Sequence, residues 1–153
     1  MANTYTQINI HAVFSVKGRM NLLADDFRED LFRYIHGILD NIGQYPLAVN
    51  GFRDHVHVLF EMQPAKALSD VIKVVKANSS KWINDNHYVV GNFSWQEGFG
   101  GFSYSRSQRD DVINYIAQQP KHHATKTFRE EYFDLLKKFG IDFKNEYVFE
   151  FYD

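Results

Sequence analysis

Two histidines, His55 and His57, stand one residue apart in a stretch whose flanks alternate as in a β-strand. On a strand every second side chain leaves the same face, so both imidazoles would project together while Val56, Val58 and Phe60 enter the core. Two neutral imidazoles side by side supply half of a site for a metal ion. The pattern therefore indicates a strand that presents two metal ligands.

A second candidate group is Tyr115 with Gln119, four residues apart in a stretch of helical apolar spacing. Residues four apart share one helix face, and this face is offset from the apolar stripe of Val112 and Ile116. The amide oxygen of Gln119 would complete a site begun by the imidazoles, with open positions for phosphate oxygens. A divalent cation favours phenolate and draws charge from phosphorus, so a phenol whose pKa is ordinarily about 10 becomes a usable nucleophile.

Other polar and aromatic side chains near these motifs have ordinary structural explanations. His11 falls on the polar face of the first predicted strand, where it could approach a metal, but we interpret it as a hydrogen-bonded sheet histidine. We interpret His122 and His123 as a polar turn, with a phosphate contact as the lesser alternative. Trp82 and Trp95 are predicted core residues, with base stacking as the alternative.

The composition fits one globular domain at 1–153, with a core at about 5–140 and an acidic aromatic tail at 141–153. The chain has no cysteine, which excludes disulfides, thiolate zinc sites and cysteine nucleophiles. No basic region precedes an apolar stretch at the N-terminus, and no segment approaches the roughly 20 apolar residues of a membrane span. We therefore expect a cytoplasmic protein with no membrane partner. The formal net charge of −2 argues weakly against a nucleic-acid partner.

Hydrophobic periodicity orders the elements as β, α, β, β, α, β, α, α. Strands are predicted at 7–15, 45–52, 55–62 and 102–105. Helices are predicted at about 25–41, from just after 64 to about 84–86, and at 108–119 and 127–139. Gly43 and Gly140 are placed to end the first and last helices, and Pro120 should end or bend the third. This order predicts an α+β fold, a ferredoxin-like antiparallel sheet with helices packed on it.

Three segments resemble the single-tyrosine HUH transposases of small bacterial insertion elements and the REP-associated tyrosine transposases. They are NGFRDHVHVL at 50–59, WQEGFGGFS at 95–103 and YIAQQPKHH at 115–123. The resemblance spans most of 5–123. It implies an HUH-type ferredoxin-like fold, a homodimer, a divalent ion such as Mg²⁺ or Mn²⁺, and cleavage of single-stranded DNA, with hairpin ends, through a covalent phosphotyrosine.

Carried over by position, the resemblance makes His55, His57 and Gln119 the metal ligands and Tyr115 the nucleophile. Cleavage would leave a 5′-phosphotyrosyl enzyme and a free 3′-hydroxyl, and the bond energy kept in the adduct would allow rejoining without a nucleotide cofactor. Basic side chains either follow DNA phosphates or only solvate the surface. Those that we expect to contact DNA are Lys73, Lys76, Lys81, Arg106, Lys121 and His122.

The sequence leaves alternatives open for the activity, for the subunit that supplies the tyrosine and for the tail. The protein could be a domesticated module that binds hairpin DNA without moving it, or a nicking nuclease that never rejoins strands. Tyr115 could serve the histidines of its own subunit or those of a partner. The tail at 145–152 alternates like an edge strand or a dimer contact, and its carboxylates could instead mimic DNA in a basic groove.

Overall fold

The structure, a computed structural model, describes residues 3–18 and 21–152. Within these residues, four strands form an antiparallel sheet of order β2-β3-β1-β4. The strands are β1 (Asn9–Ser15), β2 (Tyr45–Gly51), β3 (His55–Glu61) and β4 (Gly100–Tyr104). The helices are α1 (Asp25–Asn41), α2 (Leu68–Asp85), α3 (Arg109–Ala117), α4 (Gln119–His122) and α5 (Phe128–Lys138). This topology confirms the predicted ferredoxin-like α+β fold.

Helices cover both faces of the sheet, so the central strands β1 and β3 are buried on both sides. On one face Phe14 and Phe60 share a core with Leu31 and Ile35 of α1 and Val75 of α2. This face buries the positions that the alternation of the sequence marks as apolar. The predicted polar face of β1 is also buried, because a second helical layer lies over it.

That second layer consists of α3, α4 and α5 and lies over the histidines. Leu59 of β3 packs with Val112 and Ile116 of α3. Phe128 of α5 stacks on the ring of His55, with centroids 4.0 Å apart. The two layers therefore divide the molecule into an apolar side and a side that carries the polar candidates.

The predicted third helix is interrupted. It ends at Ala117, and Gln119 begins the separate helix α4 with Pro120 in its first turn. Proline lacks a backbone N–H and is tolerated in a first turn, where that donor would have no partner inside the helix. The prediction that Tyr115 and Gln119 share one helix is therefore wrong, whereas the effect of Pro120 is confirmed.

The last helix, α5, begins with a capping box. The Thr127 hydroxyl oxygen accepts the backbone N–H of Glu130 at 3.1 Å, and the Glu130 carboxylate accepts the backbone N–H of Thr127 at 3.3 Å. At Gly100 the backbone of β4 lies so close to Tyr132 that a Cβ there would lie 2.6 Å from the phenol oxygen. Glycine at position 100 leaves room for the ring of Tyr132 against β4.

The C-terminal tail forms no strand within 145–152, so the edge-strand alternative is wrong. A short 3₁₀ turn at Asn145–Tyr147 leads into extended chain that packs on α5, with the rings of Phe149 and Tyr132 4.9 Å apart. Gln96 holds this segment by accepting the N–H of Glu150 at 2.8 Å and donating to its carbonyl at 2.7 Å. The ring of Phe149 is buried against this helix, so this part of the tail packs on α5 and does not extend a sheet. Asp153 lies outside the described residues.

No helix among residues 3–18 and 21–152 is both long enough and apolar enough to cross a bilayer.

The packing of the tail predicts a stability difference between two of its phenylalanines. Phe149 is 8% exposed and Phe143 is 40% exposed. Phe149→Ala should lower the free energy of unfolding by about 3 kcal/mol, because it leaves a cavity beneath α5. Phe143→Ala, the matched control, should cost about 1 kcal/mol or less. Equal losses in urea unfolding would contradict the docked tail.

Candidate metal centre and nucleophile

The two histidines of β3 leave the same face of the sheet, as their spacing predicts. Both are fully buried, and their ring centroids lie 5.0 Å apart. Each ring uses Nδ1 for a partner within the sheet layer: His55 lies 2.7 Å from Asp54 Oδ1 and His57 lies 2.7 Å from His11 Nε2. Their Nε2 atoms are thus directed together into the space under α4 and α5.

Glu131 of α5 meets both Nε2 atoms and was not identified from the sequence. Its Oε1 lies 3.1 Å from His57 Nε2 and 3.3 Å from His55 Nε2, and the residue is 4% exposed. One ligand atom from each of the three residues falls within 4.8 Å of the other two. The sequence does contain a signal for Glu131. This residue lies three positions after Phe128 and four before Leu135, so a charged side chain falls on the apolar face of α5.

Gln119 and His123 complete the polar cluster from α4 and the turn after it. Gln119 is fully buried, donates through Nε2 to Glu131 Oε2 at 2.7 Å, and places Oε1 3.0 Å from His55 Nε2. His123 donates from Nδ1 to the carbonyl of Lys126 and places Nε2 3.0 Å from Glu131 Oε1. His123 lies in the turn after α4, as predicted, and the chain reversal before α5 carries its ring into the cluster.

Tyr115 reaches the same carboxylate from α3. Its hydroxyl donates to Glu131 Oε2, and its ring centroid lies 5.9 Å from that of His57. Asn50 of β2 holds the end of α3 by donating from Nδ2 to the carbonyl of Ile116 at 3.1 Å. Tyr115 thus lies beside the histidines of its own chain.

The pKa values of the cluster follow from burial and from one negative charge. Burial lowers the pKa of His55, but the hydrogen bonds of Asp54 and Glu131 outweigh it and raise that pKa from 6.5 to about 9. Burial lowers the pKa of His57, an effect that Glu131 partly offsets. Burial would raise the pKa of Glu131, yet the surrounding imidazoles bring it well below its usual range. The cluster therefore holds a carboxylate anion.

The same anion suppresses ionisation of the candidate nucleophile. Burial, followed by the charge and hydrogen bond of Glu131, raises the pKa of Tyr115 far above its usual value of 10. A second negative charge beside Glu131 is unfavourable unless a cation compensates both. The arrangement keeps Tyr115 a phenol until positive charge enters the centre.

The donor set fits a divalent cation. Two imidazole nitrogens and a carboxylate oxygen suit Mn²⁺, and an oxygen-rich first shell completed by phosphate and water also suits Mg²⁺. Each imidazole has a partner on its other nitrogen, which is the usual condition for an oriented ligand. His55, His57 and Glu131 are accordingly the residues that could hold such an ion.

The basic side chains proposed for DNA fall into two groups. Lys76 donates to the carbonyl of Gln96 at 2.8 Å and lies over the ring of Phe14, which faces the layer of α1 and α2. Lys73 and Lys81 belong to the same helix. The α2 lysines therefore lie across the sheet from the cluster, and the structure does not bring them to it.

The remaining basic candidates lie on the near side of the sheet. They are Arg106 in the turn before α3, and Lys121 and His122 in α4. The ring of His122 lies 5.0 Å from that of Tyr115. Beside Tyr115 a cavity of about 340 Å³ opens between α3 and α5, with Lys126 and Lys138 among its lining residues. This cavity connects the phenol to the surface.

Comparison with known proteins identifies the family. The sequence profile of the IS200-like transposases matches residues 4–119. The chain belongs to the IS200-like transposase family. This membership confirms the resemblance drawn from the three sequence segments. Since the match ends at 119, both His123 and Glu131 lie beyond the region that the family profile covers.

Individual members of the family agree with this assignment. The ISDra2 transposase TnpA of Deinococcus radiodurans is 23% identical over 118 residues, which cover 74% of this chain and 84% of that protein. A solved candidate transposase from Deinococcus radiodurans superposes with a TM-score of 0.60 at 21% identity, covering 76% of this chain and 94% of the other. A REP-associated tyrosine transposase bound to a REP hairpin gives 0.58 at 15% identity, covering 79% and 72%. These structures show a shared fold.

The cluster predicts metal binding that depends on Glu131. Glu131→Gln removes the negative charge among the imidazoles and should weaken Mn²⁺ binding at least tenfold, roughly the loss that follows changes around metal sites. Asp134→Asn is the matched control, an exposed carboxylate one turn along α5, and should leave the affinity unchanged. Titration calorimetry on the folded variants measures both. Equal Mn²⁺ affinity in wild type and Glu131→Gln would exclude the carboxylate from the site.

Proposed function

We propose that this family member is a metal-dependent tyrosine transposase that cleaves and rejoins single-stranded DNA at element ends through a 5′-phosphotyrosine intermediate. The main support is the position of the nucleophile relative to the cation site. Tyr115 and the imidazoles of His55 and His57 all meet the carboxylate of Glu131, so a nucleophile and a cation site lie together on one chain. A phenol beside such a site is the arrangement that phosphoryl transfer to tyrosine requires.

His55, His57 and Glu131 would hold Mg²⁺ or Mn²⁺, with the Gln119 amide oxygen within reach as a further donor. When bound, the ion supplies positive charge beside the scissile phosphate. Glu131 has a second task on this account, because its Oε2 already accepts the hydroxyl hydrogen of Tyr115. That bond points the phenol oxygen at the centre and offers an acceptor for its proton.

The chemistry is a pair of displacements at one phosphorus. The Tyr115 oxygen forms a bond to phosphorus while the bond to the 3′-oxygen breaks, and the departing oxygen takes up a proton. The fragment whose 5′ end carries this phosphate stays attached to Tyr115. A different 3′-hydroxyl then attacks the same phosphorus and restores the phenol, so the two steps exchange one ester for another without a nucleotide cofactor.

The placement of Tyr115 supports action within one subunit. In this structure the phenol, both histidines, Gln119 and Glu131 belong to the same chain, and Asn50 fixes the end of α3 to the sheet. The homodimer expected from the resemblance would then not be needed to assemble the site. We propose that each subunit cleaves with its own tyrosine.

The DNA partner follows from the family and from the cavity. The relative that was solved with a REP hairpin supports single-stranded DNA with hairpin ends as the substrate class here. We propose that the scissile strand enters through the cavity beside Tyr115, where Lys126 and Lys138 offer positive charge and His122 lies next to the phenol. The three α2 lysines are left out of this path because they lie across the sheet.

A trapping assay tests the proposal. Single-stranded oligonucleotides carrying the imperfect palindromes that flank the coding sequence are incubated with the protein and Mn²⁺, then resolved under denaturing conditions. Wild type should form a covalent protein–DNA adduct and Tyr115→Phe should form none, because its ring lacks the attacking oxygen. Tyr34→Phe, a matched loss of an exposed hydroxyl on α1, should leave the adduct unchanged.

The outcomes also separate the alternatives. An adduct that persists in Tyr115→Phe removes this residue from the nucleophile role. An adduct that an added 3′-hydroxyl strand cannot resolve indicates a nicking nuclease. Tight hairpin binding by wild type with no adduct indicates a domesticated binding module.

A further inference from the structure

His11 is a third histidine at the centre of the sheet, and the proposed function uses none of its atoms. It is fully buried on β1, and its Nε2 lies 2.7 Å from Nδ1 of His57. The two rings are stacked with centroids 5.0 Å apart and planes inclined by 24°. His11 is thus the outer hydrogen-bond partner of a candidate metal ligand.

A hydrogen bond between two imidazole nitrogens contains one proton, so two neutral arrangements exist. In the first, His11 Nε2–H donates to His57 Nδ1, and His57 Nε2–H donates to Glu131 Oε1 at 3.1 Å. In the second, His57 Nδ1–H donates to His11 Nε2, and His57 Nε2 carries no proton. Only the second arrangement leaves Nε2 free for a metal ion.

The second arrangement places a proton on the far nitrogen of His11. Proton count is conserved, because the proton absent from His57 Nε2 is matched by one on His11 Nδ1. That N–H is buried, and an unpartnered buried N–H is costly. The arrangement therefore needs an acceptor beside His11 Nδ1.

An acceptor of this kind lies two residues away on the same strand face. Among the described residues, two buried side-chain atoms lack a hydrogen-bond partner, Asn9 Oδ1 and His11 Nδ1. Positions two apart on a strand share a face, with Cα atoms about 6.6 Å apart, so these two unpartnered side chains are neighbours on that face. Asn9 is held nearby because its Nδ2 donates to the carbonyl of Tyr104 at 3.2 Å.

We infer that Asn9 and His11 are positioning residues for the metal centre, and that the chain Asn9 to His11 to His57 holds the proton of His57 on Nδ1 when a metal ion is bound. The inference rests on the proposed function, since it concerns the ion that this function requires. It also explains why a histidine occupies position 11. An apolar side chain there would pack in the core without leaving a buried nitrogen unpaired. His55 is oriented differently, by the carboxylate of Asp54.

Nitrogen-15 NMR of the histidine rings tests the proton positions in the wild-type protein. With saturating Mg²⁺, the protons of both His57 and His11 should reside on Nδ1, whereas without Mg²⁺ the proton of His11 should reside on Nε2. A Mg²⁺-bound protein whose His11 keeps its proton on Nε2 overturns the inference alone. A protein that binds neither Mg²⁺ nor Mn²⁺ overturns the metal centre of the proposed function and this inference with it.

Substitutions test the same chain by Mn²⁺ calorimetry. His11→Phe removes the acceptor for His57 Nδ1–H and should weaken Mn²⁺ binding by about 10- to 100-fold. His11→Gln restores an acceptor oxygen and should recover most of the affinity, which a purely structural role would not produce. Asn9→Ala should weaken binding in the same direction and by less. Ile10→Val, the control on the opposite face of β1, should bind as wild type does.

Wild-type Mn²⁺ affinity in folded His11→Phe overturns the inference, as does equal weakening in His11→Phe and His11→Gln. If His11→Phe does not fold, the NMR measurement on wild type still decides the question.

Discussion

The buried carboxylate of Glu131 is the group on which the rest of the site depends. A charge without water is costly unless polar groups surround it, and here three imidazoles, one amide and one phenol contact the carboxylate. These groups come from β3, α3, α4 and the turn before α5. Because they converge on one anion, the carboxylate determines how the helices lie over the histidine strand. It also holds Tyr115 as a phenol in the absence of a cation.

Part of this arrangement comes from the C-terminal part of the chain, beyond the residues that the family profile matches. The family profile matches residues 4–119, whereas His123, Glu131 and the docked tail follow it. The tail packs on Tyr132 of α5, and Gly100 leaves room for the ring of Tyr132 against the sheet. These contacts hold helix α5 where the carboxylate of Glu131 meets the imidazoles. A segment outside the shared family region thus supplies part of the proposed catalytic centre.

The sheet and the pair of histidines could be predicted because their signals are local. Alternation over seven residues identifies β3 and orients both rings, and Pro120 marks the break before α4. Glu131 and His123 depend on a chain reversal that brings together residues as far apart as His57 and Glu131, 74 positions along the sequence. The edge strand predicted for the tail failed for a different reason. Alternating aromatic residues pack as well on a helix as they do at the edge of a sheet.

We propose that one chain assembles the cation site and the nucleophile around Glu131. Anomalous diffraction from crystals grown with Mn²⁺ tests it most directly. We expect a single manganese peak bonded to His55 Nε2, His57 Nε2 and a Glu131 oxygen, with the hydroxyl of Tyr115 from the same chain beside it. A manganese peak away from Glu131, or a centre completed by the tyrosine of a second subunit, would contradict assembly of the site by one chain.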